Sequence, residues 1–300
     1  MKFASAHIFW AAMIPKLASI VLLVSLLPAC QKILQNLAEA EGGAADAAVA
    51  AAKTDEVTFV RHPPKSGTKV NISTKTSLKF TFEGKVFRDV TEDAAQVSVQ
   101  ASDEFRVTKA SIEVKQLFTT KQEGTGDEKK SVNPLAGSRF VVTRNDDGKL
   151  SALDSGGTKV AAAQLALIQE HFGTVFEADK THEFLPKRPV KIGEKLIPSS
   201  DAVLKLLGQK DDGSTVIDGV EFILQPSTAE RATFAVTLTF TQKADARTRI
   251  RAKLSGTLDV RPKDSEITGI SLKGPLTLLD PGGNDKGNGD LSIDATATFL

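Results

Sequence analysis

The sequence predicts a mainly β protein of the α+β class: a long curved antiparallel sheet, or an open half-barrel, with two helices packed on one face. Three observations predict it. Five long segments alternate apolar and polar residues with a period of two, and the wet face this leaves excludes a parallel sheet covered on both sides. Asp-Gly and Glu-Gly signals sit between strand-like segments, where positive-φ hairpin turns join antiparallel neighbours. Only two short stretches change the period to that of a helix.

From Val57 onward the alternation is plain. Val70, Ile72, Leu78, Phe80 and Phe82 share one face of Thr68 to Phe82, against Lys69, Asn71, Ser73, Lys75, Ser77 and Lys79. Ala110, Ile112, Val114 and Phe118 oppose Lys109, Ser111, Glu113 and Lys115. Phe234, Val236, Leu238 and Phe240 oppose threonines 233, 237 and 239, and Ile250, Ala252, Leu254, Leu258 and Val260 oppose Arg249, Arg251, Lys253 and Asp259. The chain closes with Leu291, Ile293, Ala295, Ala297 and Phe299 against Ser292, Asp294, Thr296 and Thr298. Glu83-Gly84-Lys85, Asp146-Asp147-Gly148 and Asp211-Asp212-Gly213 supply joints. A strand from Thr68 to Phe82 would extend about 50 Å, long enough to require bending and twist.

Helices are expected near 159–172 and 199–207. The first carries Ala161, Leu165, Ile168 and Phe172 on one stripe and is expected to stop at Gly173. The second begins at Ser199-Ser200-Asp201, supplies Val203, Leu204, Leu206 and Leu207, and ends at Gly208. Between them, Pro186 and Pro189 require an extended connection. The order of strands, helix pair and strands over 56–300 favours one β-rich domain, with two subdomains breaking near 158 or 210 as the alternative.

The amino-terminal region has a different character. Behind Lys16, an apolar run of 11 residues, Leu17 to Leu27, leads to Pro28-Ala29-Cys30. It has the form of a signal-peptide core and about half the length of a membrane span. Leu27-Pro28-Ala29-Cys30 resembles the bacterial lipobox, with proline an unusual occupant of its middle position. The resemblance implies that 1–29 is a removed leader and that Cys30 becomes a diacylglyceryl-modified amino terminus anchoring the chain in a membrane. Gln31, where aspartate would signal inner-membrane retention, then implies the outer membrane, facing the periplasm. Met13 is a candidate start, because a leader from there has conventional length. Residues 30–55 read as an Ala/Gly-rich tether; if flexible, it reaches about 25–30 Å.

Pro186 to Glu194 matches a Pro-x-x-Pro-Val-x-x-Gly-Asp/Glu stretch that follows a helix, and in this the chain resembles β-rich envelope lipoproteins of unknown function. Its expected topology is also similar to the lipoprotein carriers of the LolA and LppX class. Neither resemblance transfers functional residues.

Composition narrows the function classes. Outside the leader, 36 basic residues face 37 acidic ones, which argues against nucleic acid as a partner. There is no tyrosine, and the one tryptophan is Trp10, which disfavours stacking on sugars or bases. One cysteine excludes an internal disulfide framework. No nucleophile elbow, His-Glu-x-x-His, phosphate loop or dinucleotide fingerprint occurs, so a non-enzymatic role without cofactor is expected. His171 and His182, with Glu177 and Asp179 nearby, form a weak metal candidate; the competing reading is a solvated helix end, and no metal is expected. Asp280 to Asp290 reads as a hairpin loop rather than a calcium site.

Two readings of the stripe Ala161, Leu165, Ile168 and Phe172 stay open. It fills the concavity as core, or it lids an apolar cavity for a lipid or other hydrophobic small molecule. The alternative to ligand binding is an envelope scaffold with an envelope protein partner.

Overall fold

A computed structural model describes residues 55–300 other than 63, 83, 104–105, 178–183, 207–212 and 245–246. The leader, Cys30 and nearly all of the tether, together with Asp179, His182 and Leu207, lie outside the described residues. The described strands are β1 (Glu56–Val57), β2 (Lys69–Phe82), β3 (Lys85–Asp103), β4 (Arg106–Glu123), β5 (Lys129–Val132), β6 (Arg139–Arg144), β7 (Leu150–Asp154), β8 (Val190–Lys191), β9 (Lys195–Leu196), β10 (Thr215–Leu224), β11 (Ala232–Lys243), β12 (Arg249–Arg261), β13 (Glu266–Leu279) and β14 (Asp285–Phe299). Two helices, α1 (Ala162–Phe172) and α2 (Ser200–Leu206), fall between β7 and β10.

Twelve strands form one antiparallel sheet in the order β7-β6-β4-β3-β2-β14-β13-β12-β11-β10-β9, with β5 also paired to β4. It is therefore two meanders, β2 to β7 and β9 to β14, joined where the last long strand lies beside the first. The sheet does not close. Its edges are β7, of five residues, β5, of four, and β9, of two, and short edges resist pairing with other chains. A separate two-stranded ladder joins β1 to β8.

One face of this sheet is inward throughout. A register row crosses eight strands through Leu117, Asp93, Thr74, Ala295, Ile270, Leu258, Phe234 and Leu224. The alternating residues on β2, β11, β12 and β14 point where their spacing predicts. On β4 the expectation fails at its end. Val114 faces Ala95 while Gln116 faces Ala94, so Lys115 is an extra residue and the phase flips. Leu117 is consequently buried and Phe118 stands on the opposite face, under the ammonium of Lys130 at 3.5 Å.

Curvature has a local cause. At Gly274 a Cβ would lie 2.0 Å from the carbonyl oxygen of Lys253, and at Gly289 it would lie 2.0 Å from that of Lys79. Both are inward positions, opposite Leu291 and Phe80 respectively, so absent side chains let neighbouring backbones bend inward.

The two helices cover the two meanders on this inward face, giving two apolar clusters. In the first meander Ile168, Phe172, Val175 and Phe176 pack with Val97, Ile112, Phe140 and Val142. In the second Ala202 and Val203 pack with Phe222, Val236 and Leu238, and Val57, Phe59, Phe184 and Val190 extend the cover. Ile72 on β2 touches both clusters.

Helix α1 is shorter than its pattern suggests. Val160 is buried in extended chain before the helix, Ala161 is its exposed N-cap, and Leu165 is only half-buried. Gly173 does not stop the chain from coiling: it keeps helical angles and enters a tighter turn, Gly173–Phe176. Helix α2 starts as its sequence predicts, with the Ala202 N–H donating to Ser199 Oγ at 3.2 Å.

The two-proline connection is an ordered turn system. The Lys191 N–H donates to Glu194 Oε2 at 3.0 Å, and Arg188 pairs with the same carboxylate, which is held down to about 2 by these partners. Gly193 takes φ +80°, which accounts for glycine before that glutamate. In the Asp280 loop, the Asp280 carboxylate accepts from the backbone and side-chain N–H groups of Asn284 at 2.9–3.2 Å, as a turn requires.

Candidate functional site: a polar-belted cavity in the trough

Between the apolar clusters the inward face changes chemistry. Thr74 and Thr76 on β2, Asp89, Thr91 and Asp93 on β3, and Thr119 and Lys121 on β4 all occupy inward register positions. Long strands place them there because successive side chains alternate faces, so every second residue from Phe87 to Ala95 must point into the trough. The Thr91 and Thr119 hydroxyls lie 3.1 Å apart and share a hydrogen bond. Thr74 donates to Asp93.

At one end of the belt the trough opens into a cavity of about 710 Å³. Leu78, Phe80 and Phe87 give it apolar walls, with the two rings stacked at 5.1 Å. Asp89 and Lys121 stand beside these rings, paired at 3.4 Å through Asp89 Oδ2. Lys85, Lys129, Glu123 and Asp127 stand around the remainder, while Arg88 and Lys130 border it from outward register positions, the Lys130 ammonium over Phe118. Lys85 and Glu123 pair at 3.0 Å. A space of this volume, apolar on one side and charged on the other, accommodates a small amphiphile.

Asp89 is 8% exposed, and its Oδ1 has no hydrogen-bond partner. Burial pushes its carboxyl upward, opposed by the Lys121 charge. Asp93 is pushed up to about 7 for the same reason: part of its own surface is open, but protein walls surround it and only Thr74 compensates.

A second, much smaller space of about 30 Å³ lies between Asp93, Thr74, Leu117, His171, Phe172 and Val175. It holds no more than a water molecule. The stripe selected from sequence is thus placed as follows. Ile168 and Phe172 are packed core, Leu165 is half-buried, and Ala161 faces solvent. The helix plugs the first meander, and the large cavity lies away from it. None of the four residues lines that cavity.

His171 is not at a solvated helix end. It is 9% exposed, and its Nε2 lies 3.2 Å from the Asn133 amide nitrogen, which donates to it. Burial lowers its proton affinity despite the neighbouring Glu170 charge. Glu177 is exposed, and among the described residues no three His, Cys, Asp or Glu side chains cluster as a metal site would require.

The belt was missed in sequence because β3 does not alternate. Phe87, Ala95, Val97 and Val99 share a face with two aspartates and a threonine. The available signal was that shared parity, together with Thr74 and Thr76 in phase with Ile72 and Leu78.

No protein-family model matches the chain, and no curated protein matches it. Among solved structures the chain is similar to lipovitellin, from a structure titled for its lipid–protein interactions. The TM-score is 0.38 and the identity 8%, over 79% of this chain and 26% of that one. The chain thus spans about a quarter of the lipovitellin chain. It is also similar to DynF of the dynemicin biosynthesis pathway of Micromonospora chersina, with a TM-score of 0.20 and 14% identity over 89% of this chain and 94% of that one. Likenesses this distant assign neither a family nor a function.

Proposed function

We propose that this chain is an exported, lipid-anchored envelope protein that binds the apolar part of an amphiphile in the cavity of its trough and catalyses no reaction. The observation that carries the binding reading is the cavity itself. About 710 Å³ stays open between Leu78, Phe80 and Phe87 on one side and a charged rim on the other, in a sheet whose two helices fill the inward face elsewhere. The anchoring half of the proposal rests on Leu27-Pro28-Ala29-Cys30 and the apolar run before it.

Binding is tested with a fluorescent reporter. Trp10 is the only tryptophan and there is no tyrosine, so the full chain carrying Trp10→Phe and Phe87→Trp has one indole, in the cavity. In detergent, a brominated-chain phosphatidylethanolamine should quench it saturably, while the control Val132→Trp, on an exposed position of β5, should show only the weak, unsaturated quenching of the micelle. Native mass spectrometry of the unsubstituted chain purified from membranes should show retained lipid. Equal quenching at both positions, with a bare mass, overturns the reading. For the anchor, radioactive palmitate should label the chain and Cys30→Ala should abolish the label; an unlabelled parent chain removes that half of the proposal.

A further inference from the structure

One end of the sheet's outward face carries cations without matching anions. On β12, Arg249, Arg251 and Lys253 are exposed and alternate with buried Ile250, Ala252 and Leu254, so all three point outward. Lys243 of β11 stands directly opposite Arg249, and Lys273 of β13 faces Ser255, one step along the outward row from Lys253. On β2 and β3, Lys79 stands directly opposite Arg88. Like charges set directly opposite each other across strands destabilise a sheet, and here two such pairs occur.

All of these cations are exposed, and none has an ion pair or hydrogen bond among the described residues. The carboxylates nearest in register are Asp218, which accepts from the Thr241 hydroxyl at 2.7 Å, and Asp285 and Asp290 on β14. Toward the other end of the same face the charges are matched. Lys75 meets Glu92 at 2.8 Å and Arg231 meets Asp259 at 2.7 Å. The excess is therefore local, in a chain whose formal net charge is only +1.

Two features select the partner. Between the cations of β11 to β13 stand Thr237, Thr239, Thr241, Ser255 and Thr277. Such a face has no aromatic side chain to anchor a protein interface or to stack on bases, whereas spread cations on a polar surface suit a spread array of phosphates. The second feature is position. Phe80 and Phe87 directly follow or precede Lys79 and Arg88 in the chain and line the cavity on the opposite face, so the cations mark the cavity's end of the trough.

We propose that this end of the outward face docks on an anionic membrane surface, with Arg249, Arg251, Lys253, Lys273, Lys79 and Arg88 meeting lipid phosphates. Docking holds the cavity's end of the trough at the bilayer. Its use in loading the cavity rests on the binding reading above; the docking itself does not.

Cosedimentation with sucrose-loaded vesicles tests it, using the full chain with Cys30→Ala so that no acyl anchor contributes. Phosphatidylcholine vesicles measure attraction that is not electrostatic, and vesicles with about one-third phosphatidylglycerol add the charge. Binding to the second kind should be tighter by about tenfold or more at about 0.1 M salt, and should fall to the level of the first at about 0.5 M. Arg249→Gln, Arg251→Gln and Lys253→Gln together should remove most of that preference. Lys65→Gln, Lys159→Gln and Lys187→Gln, which take the same charge from exposed positions elsewhere, should leave it. Equal binding of the parent to both vesicles overturns the proposal. So does a loss shared by both triple variants, because net charge is then the cause. A DNA duplex bound as tightly as the anionic vesicles overturns it too, the cations then serving any polyanion. Retained lipid in the native mass spectrum is a separate readout, so the cavity reading and the docking can each fail alone.

Discussion

Asp93 is the residue whose ionisation most directly opposes the fold. Its carboxyl titrates near 3.8 in an unstructured chain and at about 7 in the folded one. Between those values the unfolded chain releases a proton that the folded chain retains, so stability falls as pH rises from 3.8 to about 7 and is level above. Asp89 is shifted in the same direction. Asp93→Asn should therefore flatten the pH profile and raise Tm at about pH 8, at roughly 2–4 °C for each kcal/mol recovered. Thermal melts at acid and alkaline pH check this, and an unchanged slope would show that Asp93 is solvated. Such acids inside a concave face are uncommon unless something depends on them. Here Asp89 borders the large cavity and Asp93 the small space beside α1.

Helix α1 and the inward glycines decide stability at the scale of single elements. The buried face of α1 is Ile168, His171 and Phe172, at i, i+3 and i+4, and its first turn is exposed. Ile168→Ala should cost about 2–5 kcal/mol, because the side chain is fully buried and β-sheet neighbours collapse poorly onto the hole. Ala161→Ser should instead stabilise by about 0.5–2 kcal/mol, because it supplies the N-cap acceptor that alanine lacks. Urea midpoints at constant slope measure both. Gly289→Ala should destabilise by about 1–3 kcal/mol or prevent folding, since its Cβ meets the Lys79 carbonyl and the Phe80 Cα. Gly219→Ala, with no atom within 4 Å of the new carbon, is the matched control. The bulge at Lys115 belongs to this scale as well. Alternation alone assigned Phe118 to the core, and one extra residue on β4 exchanged it for Leu117.

Across the whole molecule, the pairing of β14 with β2 joins segments more than two hundred residues apart and makes one sheet of two meanders. Long-range antiparallel pairing of this kind closes late and slowly, because loop entropy is spent before the contacts form. Truncation after Asn284 removes β14 and leaves β2 and β13 as long unpaired edges. The expected result is aggregation on size-exclusion chromatography and rapid proteolysis of both halves. A soluble, protease-resistant first meander would show instead that β2 to β7 and α1 fold alone.

The β character, the strand directions, the hairpin turns at Gly84 and Gly148, the two helices and the inward face of most strands were legible from local sequence, whereas Gly213 joins α2 to β10 and not two strands. Period-two alternation and positive-φ turn residues act within a few neighbouring residues, and no distant partner is needed to read them. The proposal that Cys30 is lipidated rests on local sequence alone. The cavity and its aspartates were not legible, because they depend on register between strands far apart in the chain. Thr74 and Asp93 become neighbours only when β2 pairs with β3, and Lys121 reaches Asp89 only when β4 pairs in turn. Burial that pushes a carboxyl upward, and space left unfilled beside two stacked rings, are properties of packed volume. They exist only once the sheet has curled.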